Sequence, residues 1–177
     1  AQALVEAGHH VSCFVRPSSD TEGLPAAARI HSSALDTLTP DDLSGTDAVV
    51  SCLASRTGAP DDAWAVDHDA HVKLLALTEA ADVAQFVLLS AICVQKPKLA
   101  FQRAKLAFEA KLQASPVSHS IVRPTAYFKS LSGQVERGRQ GKPFLLFGDR
   151  TLTDCTPLTD PDLGRSRTLS PTAPDPI

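Results

Sequence analysis

Three short groups of residues in this chain carry side chains that could work together. Ser90 closes the apolar run Phe86-Val87-Leu88-Leu89. Phe101 and Lys105 follow, in a stretch that reads as a helix, and Arg123-Pro124-Thr125 closes a second apolar run. Residues four apart on a helix share a face, so Phe101 and Lys105 are neighbours. A lysine in that place can donate hydrogen bonds to a pair of ribose hydroxyls. Ser90 can hydrogen-bond a substrate or a carboxamide, Pro124 fixes the chain past the strand, and the Thr125 amide and hydroxyl can meet the carboxamide too. That is the layout of a nicotinamide site with catalytic positions at Ser90 and Lys105. A tyrosine at position 101 would serve as a general acid. Phenylalanine has no proton to give, which argues against carbonyl–alcohol chemistry by that route.

Further residues extend the pattern. The run His10-Val11-Ser12-Cys13-Phe14-Val15 ends in Arg16-Pro17-Ser18-Ser19. In a dinucleotide fold the end of the second strand meets the adenine ribose. A carboxylate there favours NAD, whereas an arginine pairs with the 2′-phosphate of NADP. Arg16, with Ser18 beside it, therefore points to NADPH, the alternative being a solvated surface arginine. Leu53-Ala54-Ser55-Arg56-Thr57-Gly58 ends another apolar run in small residues that let a cofactor pass close. Ser55 and Arg56 are phosphate candidates there, against the alternative of an ordinary loop. Tyr127, the single tyrosine, and Lys129 are candidates for the substrate side. His68 and His71, with Asp67 and Asp69, lack the spacing of a zinc site and read as a solvated helix face, so no metal is expected.

The elements that must position these residues alternate. Residues 1–7 read as a helix closed by Gly8, and 10–15 as a strand. Residues 28–31 are a further strand candidate. Residues 47–54 form a continuous apolar run, as a parallel strand covered on both faces requires. Residues 63–81 are helical, with Val66, Ala70, Leu74 and Leu77 at helical spacing. Strand 85–90, helix 99–112 with Leu99, Leu106, Phe108 and Leu112 inward, strand 119–123, a short helix at 130–138 and a strand at 143–147 complete the reading. Alternation of this kind implies an α/β fold, a doubly wound parallel sheet of the Rossmann-like, NAD(P)-binding type, with cofactor contacts at the carboxyl ends of the strands. No glycine-rich turn precedes the first helix, so the phosphate loop and the first strand of such a fold are expected to be lacking. That strand is central, and without it the backbone groups of its neighbours go unpaired. Residues 1–163 read as one such incomplete domain, and 164–177, with Pro171, Pro174 and Pro176, as a disordered tail.

Composition narrows the classes. Net charge is −3, which argues against a nucleic-acid surface. No apolar run reaches the roughly 18–20 residues of a membrane span. The thiols of Cys13, Cys52, Cys93 and Cys155 form no C-x-x-C pair and read as reduced core thiols. The chain has no methionine and opens inside a helix, so a missing front is expected.

The run LLSAICVQKPKLAFQRAKLAFEAKL with SIVRPTAYFKSLSGQVERGRQGKPFLLFGD resembles the divinyl chlorophyllide and protochlorophyllide 8-vinyl-reductases, atypical short-chain dehydrogenases. VSCLASRTG and HHVSCFVR fit as well, so that the resemblance covers about residues 2–163. Phe101 agrees with reduction of a carbon–carbon double bond. The resemblance implies an oxidoreductase that uses NADPH to turn the C8 vinyl group of a chlorin or porphyrin into ethyl. It implies Arg16 at the 2′-phosphate, Lys105 at the ribose and Thr125 near the nicotinamide. It also implies a chloroplast or, for a photosynthetic bacterium, cytoplasmic location, with peripheral association to photosynthetic membranes. The family continues past Leu163 into a substrate-covering region, whereas this chain turns Pro-rich, as a truncated or frame-shifted reading would. A non-catalytic NADP-binding sensor or scaffold and an isoflavone-reductase-like enzyme are the alternatives.

Overall fold

In a computed structural model, residues 1–125, 127, 135–143, 159 and 163 are described. The first element is α1 (Gln2–Glu6). Gly8 then adopts φ +87°, a left-handed turn that a side chain would strain. The chain continues into β1 (Ser12–Val15) and β2 (Arg29–Ser32). Two 3-10 turns, Leu35–Thr37 and Pro40–Leu43, lead to β3 (Ala48–Ser51).

A long helical segment follows in three parts: α2 (Pro60–Ala63), a π-helical stretch Trp64–Ala70, and α3 (His71–Ala80). Its fully buried stripe is Ala63, Asp67, His71, Leu75 and Thr78. The apolar series Val66, Ala70, Leu74 and Leu77 is only half-buried. The wider π-helical turn helps rotate the face presented to the core, and paired polar groups occupy it. β4 (Gln85–Leu89), α4 (Ala100–Ala114) and β5 (Ser118–Val122) follow. Gln102 starts α4 by accepting hydrogen bonds from the Lys98 and Leu99 amides, at 2.9 and 3.0 Å, which satisfies donors just ahead of the helix.

All strand pairs among the described residues are parallel. They form the sheets β1-β2 and β3-β4-β5. In a doubly wound sheet of order 3-2-1-4-5-6, these are the pairs on either side of the first strand. Among the described residues no strand lies between β1 and β3. The core gathers Val49, Leu75, Phe86, Leu88, Phe108 and Leu112, with Phe14 packed against it.

Four sequence expectations need correction. β3 is covered on one face only: Val49 and Ser51 are buried, while Val50 and Cys52 on the alternate face are exposed. Cys52 and Cys93 are exposed free thiols, not core residues. Leu99 is 56% exposed, because it precedes the first turn of α4 rather than lying on its buried stripe. His71 is fully buried, not solvated. The expected strand at 143–147, Cys155 and the tail 164–177 lie outside the described residues, apart from Pro143. Of the expected helix 130–138, residues 135–138 are described and are helical.

Candidate functional site

The stripe of α4 that faces inward contains Ala104, Lys105, Phe108, Glu109 and Leu112. Two of these are charged, and each finds its partner on another element. Lys105 is 5% exposed and Asp67 1%. The ammonium lies 3.0 Å from Asp67 Oδ1 and donates to the Leu53 carbonyl at 3.4 Å. Oδ1 has no hydrogen-bond partner of good direction among the described residues, so the 3.0 Å contact is an ion pair and not an aligned hydrogen bond. Asp67 Oδ2 accepts from the Ser55 amide at 3.4 Å. One carboxylate thus spans Lys105 and the loop after β3. The Leu53 carbonyl is the one hydrogen-bond acceptor of Lys105 among the described residues, so the ammonium has donor capacity to spare. Phe101 lies one turn before, half-buried.

Glu109, 1% exposed, forms the second pair. It accepts from Ser90 Oγ at 2.5 Å, and from Arg123 Nε and Nη2 at 3.2 and 2.5 Å. The Glu109 hydrogen bond raises the Arg123 pKa further. The Ser90 amide donates to the Val122 carbonyl at 2.8 Å, and the Ile92 amide to the Pro124 carbonyl at 3.1 Å. Ser90 and Arg123-Pro124 are therefore braced against each other at the ends of β4 and β5, with Pro124 buried and Thr125 half-buried. The Ser90 hydroxyl proton is committed to Glu109, leaving its lone pairs as acceptors.

The loop after β3 has its own anchor. Asp62 Oδ2 accepts from the Arg56 amide at 3.1 Å, the Thr57 amide at 2.9 Å and the Thr57 hydroxyl at 2.7 Å. The Thr57 hydrogen bonds lead in holding the Asp62 carboxyl below its ordinary pKa, and the Arg16 charge adds to them. Arg16 and Ser18 are exposed just past β1, and the Arg56 side chain is exposed too. The segment Leu53–Thr57 therefore has the Lys105 ammonium at one end and the field of the Arg16 guanidinium at the other. Tyr127 is half-buried. Lys129 lies outside the described residues.

His71 sits behind Lys105. Its ring is 4.8 Å from that of Phe108, and its Nδ1 lies 3.0 Å from the Val66 carbonyl. Burial, with the Lys105 charge second, pushes its pKa down to about 4, so the imidazole is neutral near pH 7. Among the described residues, no cluster of three or more His, Cys, Asp or Glu could hold a metal ion. An open groove of about 310 Å³ lined by Leu35, Asp36, Leu38, Lys73 and Leu77 lies away from the strand ends and contains only the Lys73–Asp36 ion pair.

The geometry fits a ligand with two polar ends. An exposed arginine marks one end of the Leu53–Thr57 loop. At the other end stands an ammonium with an N–H to spare, and Ser51 Oγ, buried at the end of β3, has no partner among the described residues. These suit the two ribose ends of a dinucleotide. Among the described residues no glycine-rich turn leads into a helix to supply a pyrophosphate cradle. Asp67, Glu109 and Asp62 were not singled out as site residues from sequence. The signal for Glu109 was its position on the same stripe as Phe108 and Leu112.

The chain belongs to the NAD(P)H-binding family, whose model matches residues 1–150. Within that class it is similar to the chloroplastic divinyl chlorophyllide a 8-vinyl-reductase of Arabidopsis thaliana, at 54% identity over 125 residues, which is 67% of this chain and 30% of that protein. The rice (Oryza sativa subsp. indica) protein of the same name is 43% identical over 179 residues, covering 90% of this chain and 44% of its own length. The chain thus spans less than half the length of these relatives. Among solved structures, MoeE5 in complex with UDP-glucuronic acid and NAD superposes with a TM-score of 0.79 at 19% identity, covering 98% of this chain and 68% of that one. At that identity the likeness is one of fold.

Proposed function

We propose that this chain is the dinucleotide-binding part of an NADPH-dependent reductase that converts the C8 vinyl group of a divinyl chlorophyllide or protochlorophyllide to ethyl. The observation that carries the reading is the retained, buried Lys105 with Phe101 one turn before it. The ribose-holding cation is kept and the phenolic acid of carbonyl chemistry is replaced. The similarity to plant vinyl-reductases supports the same reading.

Bound NADPH supplies the hydride. The protein's part is orientation and the exclusion of water. Arg16, with Ser18, takes the 2′-phosphate, which distinguishes NADPH from NADH. Ser55 and Arg56 flank the phosphates. Lys105 holds the nicotinamide ribose through its remaining N–H groups. Ser90, with its proton on Glu109, offers an acceptor to the carboxamide NH₂. Arg123-Pro124 fixes the strand end from which Thr125 meets the same group, and Tyr127 and Lys129 face the substrate. A tetrapyrrole delocalises the negative charge left by hydride addition, so a strong general acid is not required and water can supply the proton. The chloroplastic relatives support a chloroplast location, and a chlorin substrate fits peripheral association with photosynthetic membranes.

The test is to mix the full-length protein that contains this chain with NADPH and divinyl chlorophyllide and follow the loss of the vinyl absorption signature. Conversion supports the reading. NADPH binding without conversion or pigment binding refutes it in favour of a sensor.

A further inference from the structure

We infer that Asp67 is the positioning residue that sets the nicotinamide-ribose end of this site, an inference that rests on the cofactor reading above. Its carboxylate contacts the Lys105 ammonium through Oδ1 at 3.0 Å and the Ser55 amide through Oδ2 at 3.4 Å. It therefore locks a cation on α4 and the loop after β3 into one unit. The π-helical stretch Trp64–Ala70 carries it into the core, and such irregular turns are frequent at functional sites. A purely stabilising role accounts poorly for the pair. Burying two charges costs much of what their attraction returns, and apolar residues of the same volume serve stability as well or better. Oδ1 also lacks an aligned hydrogen bond among the described residues, which is poor economy for an ion pair at 1% and 5% exposure.

Position is what the pair does supply. The carboxylate draws the ammonium against Oδ1, and one N–H donates to the Leu53 carbonyl. The remaining donor capacity is left for a ribose hydroxyl. Neutralised by Asp67, this end favours hydroxyls over phosphate, which leaves phosphate recognition to Arg16 and Arg56. The titratable groups whose charges bear on Lys105 are Asp67 in the π-helical stretch, His71 on α3 and Cys52 after β3, with Glu109 one turn along its own helix.

The test measures NADPH binding by the full chain between pH 6 and 10. It compares the unsubstituted protein with Asp67→Asn, Lys105→Met and the double variant. Asp67→Asn keeps the side-chain shape and removes the charge. Its NADPH affinity should fall about tenfold or more, and fall further as pH rises, because a buried ammonium without a counter-charge loses its proton at lower pH. Lys105→Met should weaken binding without that pH dependence, and the double variant should match it. Asp67→Asn that melts lower but binds NADPH with the parental affinity and pH profile overturns the inference. A second measurement needs no substitution: exchange of the Ser55 amide should slow when NADPH is added, and unchanged exchange in a chain that binds NADPH overturns it as well. Failure of the unsubstituted chain to bind NADPH at all sinks the cofactor reading first, so the two failures are separable.

Discussion

Replacing Glu109 with alanine removes a carboxylate that is 1% exposed and accepts three hydrogen bonds, one from Ser90 and two from Arg123. Breaking a buried ion pair from one side costs about 3–5 kcal/mol. The Arg123 side chain is 32% exposed and can turn toward water, whereas the Ser90 hydroxyl cannot. The loss therefore falls at the low end, about 3 kcal/mol. For a chain of this size that is a fall in Tm of about 6–12 °C. Glu109→Gln keeps the volume and can still accept from Ser90, so it should lose only about 1–2 kcal/mol. Urea denaturation of the parent and both variants measures these differences directly. Should both variants unfold within about 0.5 kcal/mol of the parent, the brace between the ends of β4 and β5 has no energetic content.

Other perturbations address the remaining parts of the site. Arg16→Ala should weaken NADPH binding about tenfold or more while leaving NADH affinity unchanged; titrations with both nucleotides decide this, and a parallel loss for both excludes the 2′-phosphate role. Asp62→Ala should speed hydrogen exchange of the Arg56 and Thr57 amides, read by exchange NMR, because their shared acceptor is gone. The His71 pKa falls from 6.5 unfolded to about 4 folded, so the unfolded chain binds more protons between those values. Stability should rise with pH across this window and be lost as pH falls from about 6.5 to 4, by about 2–3 kcal/mol. His71→Phe should flatten that slope in pH-dependent denaturation.

Several strand ends were legible in the sequence because their apolar runs stop at a polar or proline-bearing tip, although β3 ends at Ser51, short of the run's end at Ala54. The run Phe86–Leu89 ends at Ser90, and the run before Arg123-Pro124 ends as cleanly. Strand ends on one edge of a parallel sheet converge by topology alone, so Arg16, Ser55, Ser90 and Arg123 could be grouped without coordinates. What the sequence hid are the countercharges. Asp67 and Glu109 sit on helices where acidic residues ordinarily face water, and their partners lie on other elements. The π-helical turn that carries Asp67 inward has no local signature in Trp64–Ala70. His71 was misread for the same reason: its place inside depends on the ring of Phe108, a contact that only the packing of α3 against α4 creates.

Among the described residues no ladder joins β1 to β3, and the fully buried core cluster takes none of its members from β1 or β2. There the leaf that carries Arg16 meets the leaf that carries Lys105 through side-chain packing such as that of Phe14, not through a strand ladder. A molecule long enough to touch both acts as a tie-bar between them. Its departure should let the smaller leaf melt before the larger one, so that heating the empty protein gives two transitions where the occupied protein gives one.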